Sequence, residues 1–286
     1  MSRIVYVNGR YEPYAEAGVH VEDRGNQFGD AVYEVCEINQ GRIVDEPRHM
    51  ARLQRSLGEV RIRLPMSMAE LGRVIRETIR RNRVKNGFFY LQVSRGAAPR
   101  DFHFPDHEIE PTVICIVRRA LPEDAEETAA KGIAVKTMPD ERWHRVDIKT
   151  VMLLPSVLAH QAAHEDDAGD AWLVDGEEFV TEGASSNAWI VDDEGRLITR
   201  PADSGILRGV TRSVVIDLAA REGLTLIERA FTVEEARGAR EAFKTSATGM
   251  VMPVVSIDGR PIANGHPGHF ATQLRKLFHT QAEMVL

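Results

Sequence analysis

Along the chain the apolar residues switch between two spacings, and the switches mark its elements. Residues 4–7 and 10–14 flank Asn8-Gly9, a pair that tolerates the positive φ angles of a tight turn, so the chain opens as a β-hairpin. Residues 31–38 are rich in strand formers. They alternate Tyr33, Val35 and Glu37 with Val32, Glu34, Cys36 and Ile38, which predicts a strand with two chemically different faces. The spacing then lengthens: Met50, Leu53, Leu57 and Val60 form a helical stripe over 46–61, flanked by Arg48, Arg52 and Arg55. Ser67-x-x-Glu70 is a capping box that opens a second helix, striped by Leu71, Val74, Ile75 and Ile79. Strands follow at 88–94 and 112–117, separated by a loop over 95–105 that carries Gly96, Pro99, Arg100, Phe102, His103 and Phe104.

The acidic stretch 121–127 opens on Leu121-Pro122 and reads as an interdomain linker. Beyond it the pattern predicts strands at 133–137, 171–174, 178–181, 188–191, 197–199 and 251–257. Helices are expected at 156–166, 212–222 and 270–279, with a short one capped by Thr232-x-x-Glu235. Hairpins interspersed with helices predict an α+β protein of two domains, 1–120 and 127–286, joined by a linker at 121–126.

Composition narrows the function. A 43% hydrophobic content supports a proper core, and a net charge of −7 with arginines dispersed among acids speaks against a nucleic-acid surface. Cys36 and Cys115 each sit in an apolar strand-like run, so neither a disulfide framework nor a cysteine metal site is expected. The first apolar stretch is too short for a signal-peptide core, and no apolar run reaches about 18 residues, so a soluble, cytoplasmic protein is expected.

Six lysines stand against thirty arginines, and Lys149 is the one between Ile148 and an apolar run. Burial can lower a lysine from about 10.4 by up to about 3–5 pH units, making its amine a nucleophile able to form a Schiff base. The plainer reading is a lysine that snorkels from a strand end. Gly205 to Arg212 leads into a helix, where glycine, backbone N–H groups and Thr211 could cup an anion; an ordinary capped helix is the alternative. Thr245-Ser246-Ala247-Thr248-Gly249 adds small hydroxyl residues and, alone, is a loop. Glu182, in Thr181-Glu182-Gly183-Ala184-Ser185-Ser186-Asn187, could pair with a pyridine nitrogen, or be a simple turn residue. His160 and His164 share helical i, i+4 spacing, but lack the interior glutamate of the zinc-protease pattern and a third ligand, so no metal is expected. Neither Gly-x-Ser-x-Gly nor Gly-x-Gly-x-x-Gly occurs.

Together these segments resemble the fold type IV pyridoxal-phosphate enzymes, and within them the D-amino-acid transaminases. The resemblance rests on motifs in order along nearly the whole chain. They are Glu22-Asp23-Arg24-Gly25-x-Gln27-Phe28-Gly29-Asp30-x-Val32-Tyr33-Glu34-Val35, Ala51-Arg52-Leu53, Arg95-Gly96-x-x-Pro99-Arg100, Asp147-Ile148-Lys149, Thr181-Glu182-Gly183-x-Ser185-Ser186-Asn187 and Ile206-Leu207-x-Gly209-x-Thr211-Arg212. The resemblance implies a smaller N-terminal α/β sandwich domain, a larger barrel-like C-terminal domain and a homodimer. Its cofactor would be pyridoxal 5′-phosphate, bound to Lys149 as a Schiff base, with Glu182 on the ring nitrogen and Leu207 packed on the ring. Arg52, Val210, Thr211, Ser246 and Ala247 would hold the phosphate.

At the substrate end the resemblance implies that Tyr33, with an arginine and a histidine of the partner subunit, grips the α-carboxylate. Arg100 matches the arginine, and its planar fork suits a carboxylate. The family histidine falls two residues after the arginine, where this chain has Phe102, with His103 one place later. Either the loop shifts so that His103 reaches the carboxylate, or Arg100 and Tyr33 act alone. The expected reaction is ping-pong transamination between a D-amino acid such as D-alanine and a 2-oxo acid such as 2-oxoglutarate. Branched-chain L-amino-acid transamination and aminodeoxychorismate lyase activity are alternatives on the same fold. A catalytically silent dimer and a metal hydrolase are alternatives of other classes.

Overall fold

The structure, a computed structural model, describes residues 3–120 and 122–285. In chain order its elements are β1 (Ile4–Val7), β2 (Arg10–Pro13), α1 (Arg24–Phe28), β3 (Ala31–Asn39), β4 (Arg42–Val44), α2 (Glu46–Glu59), α3 (Met68–Asn82), β5 (Gly87–Ser94) and β6 (Thr112–Arg119). Next come α4 (Pro122–Lys131), β7 (Ile133–Pro139), α5 (Leu154–Glu165), β8 (Asp170–Val174), β9 (Val180–Gly183), β10 (Asn187–Val191), β11 (Leu197–Thr199) and α6 (Val210–Arg221). The chain ends with β12 (Leu226–Glu228), α7 (Val233–Arg237), β13 (Glu241–Ser246), β14 (Met250–Ile257), β15 (Arg260–Pro261), α8 (His269–Gln281) and β16 (Met284–Val285). Two compact units divide the described residues: one holds 3–120, 148–152 and 284–285, the other 122–147 and 153–283. Pro122 to Glu127, read from sequence as linker, is the start of α4; Leu121, the first linker residue, lies outside the described residues.

The first unit is an antiparallel seven-stranded sheet in the order β16-β4-β3-β5-β6-β1-β2. One face is largely apolar, with Val32, Cys36, Ile38, Phe89, Leu91, Val93, Val113, Cys115 and Val117 all buried around the buried carboxylate of Glu34. Helices α2 and α3 pack on this sheet and contribute the buried Leu53, Leu57, Leu71 and Ile75. Burying each such side chain contributes about 1.5–3 kcal/mol. The capping box of α3 is complete, with Ser67 Oγ accepting from the Glu70 N–H at 3.2 Å and Glu70 Oε2 accepting from the Ser67 N–H at 2.8 Å.

A length mismatch positions the candidate lysine. Strand β3 has nine residues but β4 only three, pairing at Ile38 and Asn39, so the N-terminal half of the outer edge of β3 is left open. Residues 148–152 fill it. The Tyr33 N–H donates to the Lys149 carbonyl at 3.0 Å, the Val151 N–H donates to the Ala31 carbonyl at 3.1 Å, and Val32 faces Thr150 in an antiparallel bridge.

The second unit has a nine-stranded mixed sheet, β12-β11-β10-β13-β14-β7-β8-β9, with β15 paired to β14. Neighbours β11/β12, β14/β7 and β7/β8 are parallel. One apolar cluster contains Val180 from β9 at one end of this order, Ile198 from β11 beside the other end, and Trp172, Ala188, Ile190, Ala242 and Val254 between them. Ile227 of the end strand β12 packs against it, so the sheet curls around its own core. The Val180 N–H donates to the Phe231 carbonyl at 2.9 Å, joining the two ends of the curl. On the other face Trp189 stacks on Phe243, 5.4 Å between centroids, and α6 and α8 pack against β13. The expected α+β fold, with a helix-covered sheet and a barrel-like sheet, is what the chain forms.

Candidate active site

Lys149 is gripped by its backbone and open at its tip. Its N–H donates to Ser56 Oγ of α2 at 3.3 Å, and its carbonyl is held by Tyr33 as described. Nζ lies 4.0 Å from the centroid of the Tyr33 ring, a cation–π contact, and among the described residues it has no carboxylate or hydrogen-bond partner. Lys131, Lys136 and Lys244 each pair with an acid, so Lys149 is the half-buried lysine whose amine is unclaimed. Behind Tyr33, Tyr90 stacks at 5.6 Å and donates its hydroxyl to Gln92 Oε1 at 2.6 Å. Burial, with Tyr33 adding to it, pushes the Tyr90 phenol up to about 12, so it stays protonated.

Arg52 belongs to the same unit. Its Nε and Nη2 donate to the two oxygens of Glu34, each at 2.8 Å, and His49 Nδ1 meets Glu34 Oε2 at 2.8 Å. Glu34 is fully buried. Burial alone would raise its pKa, but Arg52 and then His49 outweigh that and hold it at about 2. Burial lowers the His49 pKa, with Glu34 opposing, so neutral His49 donates its Nδ1–H to the carboxylate. Arg52 is therefore a cation locked in place by a buried carboxylate, a partnership that sequence pattern did not reveal.

The second unit gathers the other candidates at one end of β9, β10 and β13. Glu182, buried at the end of β9, accepts three hydrogen bonds: Arg142 Nη1 at 2.5 Å and the Leu207 N–H at 3.1 Å on Oε1, and Asn187 Nδ2 at 2.8 Å on Oε2. Asn187 Nδ2 also donates to the Leu207 carbonyl at 2.9 Å, fixing the loop before α6. Arg142 in turn forks onto Asp140, with Nε at 2.9 Å and Nη2 at 2.7 Å. Burial lifts Glu182 above the ordinary carboxylate value, and Arg142 and the Leu207 N–H oppose the lift. Burial would also lift Asp140, but Arg142 outweighs it and holds that carboxyl below its usual value. Arg142, Asp140 and Asn187 were not singled out as candidates from sequence; Arg142 precedes Lys149 by seven residues in an irregular segment with no periodicity to mark it.

Helix α6 begins at Val210, two residues earlier than its apolar spacing predicts, and its N-cap is Gly209, which brings no side-chain acceptor. The first N–H groups of any helix lack intrahelical partners, so Val210 and Thr211 present donors suited to an anion. Gly209 has to be glycine because a Cβ there would collide with Asn187 Oδ1. Asn187 is also in register with Thr245 of β13, which places Ser246 and Ala247 at the same end of the sheet. There the Gly249 N–H donates to Ser246 Oγ at 3.0 Å, and Arg275 of α8 donates to the carbonyls of Gly249 and Val251 at 2.7 and 2.8 Å, bracing the turn.

The loop carrying Arg100 and His103 is tied to its own unit at its base. Asp30 accepts from Arg24 Nε at 2.9 Å and from Arg95 Nε and Nη2 at 2.7 and 2.9 Å. Arg100 is exposed, its guanidinium 5.1 Å from the Phe28 ring and 5.5 Å from the Phe102 ring. The His103 side chain is 93% exposed and meets Asp101 at 3.1 Å. Within the chain, then, neither Arg100 nor His103 is engaged with Tyr33 or Lys149.

The rival sites read differently. His160 Nε2 meets Ser185 Oγ at 3.0 Å, and His160 Nδ1 lies 3.6 Å from Asp170, so His160 serves a side-chain cluster and not a pair with His164. Glu34, Cys36 and His49 lie close enough to share a metal ion. However, both Glu34 oxygens are taken by Arg52, and burial raises the Cys36 thiol well above its usual value, which opposes the thiolate a metal needs.

Residues 31–257, from the start of β3 to the end of β14, match the family described as Amino-transferase class IV, and the chain belongs to that family. Among its relatives, the D-alanine aminotransferase of Staphylococcus haemolyticus is 38% identical over 280 residues, 98% of each chain. That of Bacillus licheniformis is 40% identical over 265 residues, 92% of each chain. Of solved structures, a T.th. branched-chain amino acid aminotransferase with pyridoxamine 5′-phosphate superposes with a TM-score of 0.89 at 26% identity, over 98% of this chain and 93% of that one. The Escherichia coli branched-chain enzyme, 23% identical with a TM-score of 0.89 over 98% and 94%, shares the fold.

Proposed function

We propose that this aminotransferase exchanges the amino group of a D-amino acid, D-alanine first among them, with a 2-oxo acid such as 2-oxoglutarate, and that Lys149 carries the chemistry. Aminotransferases of this class use pyridoxal 5′-phosphate, which when bound supplies an aldehyde carbon for an amine and an electron-withdrawing pyridine ring. The chain's own groups fit it: an unclaimed amine at Lys149, a buried and braced carboxylate at Glu182, and an uncapped helix start at Val210. The observation that carries the reading is Lys149 Nζ, fixed through its backbone and, among the described residues, without an acid partner.

In this reading Lys149 Nζ would hold the cofactor aldehyde through its amine and, once free, would serve as the base and acid that moves the substrate's α-proton. The Tyr33 ring, 4.0 Å from Nζ, would orient the amine. Burial lifts Glu182, and Arg142 and the Leu207 N–H oppose that lift and favour the carboxylate, which would keep the ring nitrogen protonated. Val210 and Thr211 at the start of α6, Ser246 at the end of β13, Ala247 just after it, and Arg52 would hold the phosphate, and Leu207 would pack on the ring.

The choice of a D-amino acid is supported by the full-length match to D-alanine aminotransferases, at 38–40% identity against 23–26% for the branched-chain enzymes. Arg100, with His103, would act on the substrate carboxylate of a second copy, which accords with their exposure. A homodimer also gives a use to Leu154, Val157 and Leu158, an apolar stripe on α5 that is 57–67% exposed. Unbridged, buried Cys36 and Cys115 suit a reducing cytoplasm, and among the described residues no helix is long and apolar enough to cross a membrane.

Lys149→Ala tests the assignment. The variant should keep its fold and its circular dichroism but lose turnover by a factor of about 10⁴ or more, since no other group sits at that position to move the proton. Retained transamination would remove Lys149 from the mechanism.

A further inference from the structure

Asp170 and Lys244 form a buried ion pair that the reaction does not use. Asp170 is fully buried, and its Oδ2 accepts from Lys244 Nζ at 2.7 Å and from Ser186 Oγ at 2.7 Å, while Oδ1 accepts from the Ala171 N–H at 2.8 Å. His160 Nδ1 lies 3.6 Å from Oδ1. The two charges come from strands that are not neighbours: β13 and β8 are separated by β14 and β7 in the sheet order. The pair therefore bridges the curl of the sheet rather than one rung of it. Gly183 contributes by omission, because a Cβ there would collide with the Ser186 hydroxyl that reaches Asp170.

Each end of this bridge carries one of the groups assigned to the cofactor. Lys244 is two residues from Ser246 and three from Ala247, in the turn assigned to the phosphate. Ser186 closes the turn from Gly183 to Asn187, with the ring-nitrogen carboxylate Glu182 immediately before it. A buried charge pair is weak evidence for stability, because desolvating two charges offsets most of their attraction; its attested use is to select one arrangement over others. We propose that Asp170 and Lys244 are positioning residues that set the span between the phosphate-holding turn and the ring-nitrogen carboxylate, so that one ligand reaches both at once. The proposal rests on the cofactor reading above.

The consequence is specific. Two subsites held at the correct span bind a linked ligand far more tightly than either half, because the second contact is intramolecular; with the span lost, the linked ligand loses that advantage while each half binds as before. The test uses the full chain freed of cofactor and three probes without an aldehyde: pyridoxine 5′-phosphate, pyridoxine and inorganic phosphate. None of them bonds covalently to Lys149. Calorimetry would give each dissociation constant for the unmodified chain, for Lys244→Met and for Asp170→Asn/Lys244→Met. The double variant removes both charges together and so leaves no uncompensated buried ion to unfold the protein.

Pyridoxine 5′-phosphate should bind either variant about 10-fold or more weakly, with pyridoxine and phosphate each changing by less than about 3-fold. Equal weakening of all three probes would mean that the pair merely supports the turns, and no weakening would mean that the span is set elsewhere; either result overturns the proposal. If the unmodified chain bound none of the three, the cofactor reading would fall and this proposal with it, an outcome distinguishable because it precedes any substitution.

Discussion

Arg142 is the residue through which the electrostatics of Glu182 can be tested. In Arg142→Met the side chain keeps its bulk, but Glu182 loses the 2.5 Å contact with Arg142 Nη1 and keeps only the Leu207 N–H and Asn187 Nδ2 as donors. Asp140 loses its cation in the same stroke, keeping the Thr181 hydroxyl at 2.7 Å, and remains nearby, where its charge already acts to raise Glu182. Two unit charges about 4 Å apart attract by about 4 kcal/mol at an effective dielectric constant near 20. Removing one partner of a buried pair costs about 3–5 kcal/mol. Burial already favours the protonated acid, so the loss should leave Glu182 neutral at pH 7, unable to hold a proton on the ring nitrogen. With two donors remaining, the lower end of that range applies. At about 1.4 kcal/mol per tenfold, α-proton exchange should slow by about 10²–10³.

The assay is loss of the α-deuterium of D-alanine into water, followed by NMR with the loaded enzyme, beside thermal unfolding of the same sample. Arg142→Lys should recover much of the rate by restoring one charge. Asp140→Asn/Arg142→Met should recover part of it, since the neighbouring carboxylate no longer opposes ionisation of Glu182. Exchange at the unmodified rate in a folded Arg142→Met enzyme would refute the reasoning, because Glu182 would then not depend on its cation.

Acid stability probes Glu34. A carboxyl whose folded pKa is depressed stabilises the fold above its unfolded value and loses that contribution as pH falls through the folded value. The drop from 4.5 to about 2 corresponds to about 3 kcal/mol, lost between those pH values. Glu34→Gln should be less stable at neutral pH and show a flatter dependence of Tm on pH across that window; an identical acid profile would contradict the pairing with Arg52. The α5 stripe is probed by Leu154→Asp/Leu158→Asp, which should shift sedimentation from dimer to monomer and abolish turnover, and a dimer of unchanged stability would place the interface elsewhere.

How much could be read from the sequence depended on whether an element's cause was local. Helices α2 and α3 announce themselves through apolar stripes and, in α3, the Ser67–Glu70 box, because capping and amphipathicity act within a few residues. Five-residue α1 is too short for periodicity; the side chain of Asp23 and left-handed Gly29, φ 70°, define it, and no apolar stripe marks it in the sequence. Acidic α4 resembled a linker because its exposed face outweighs its one buried residue, Ala129. Strand β16 exists only because the edge of β4 offers Val44 and Ile43 partners.

The same distinction holds at the candidate site. Residue type and setting made Lys149 and Glu182 candidates beside the plainer readings of a snorkelling lysine and a turn residue, and the family resemblance supplied their roles. The route of Lys149 to the open edge of β3, its grip on Ser56 and the Arg142 brace on Glu182 depend on contacts between residues 40 or more positions apart. Arg52 was assigned to a phosphate on resemblance alone, and its lock on Glu34 appeared only when α2 was packed on β3.

The most direct measurement of the central claim is a half-reaction without acceptor. The purified, loaded enzyme is mixed separately with D-alanine and with L-alanine, and its visible absorbance is followed while pyruvate is assayed. The account predicts bleaching and one equivalent of pyruvate per site with D-alanine, and neither with L-alanine. Bleaching with L-alanine and not with its mirror image would contradict the proposed substrate, and bleaching with D-alanine in Lys149→Ala would contradict the proposed chemistry.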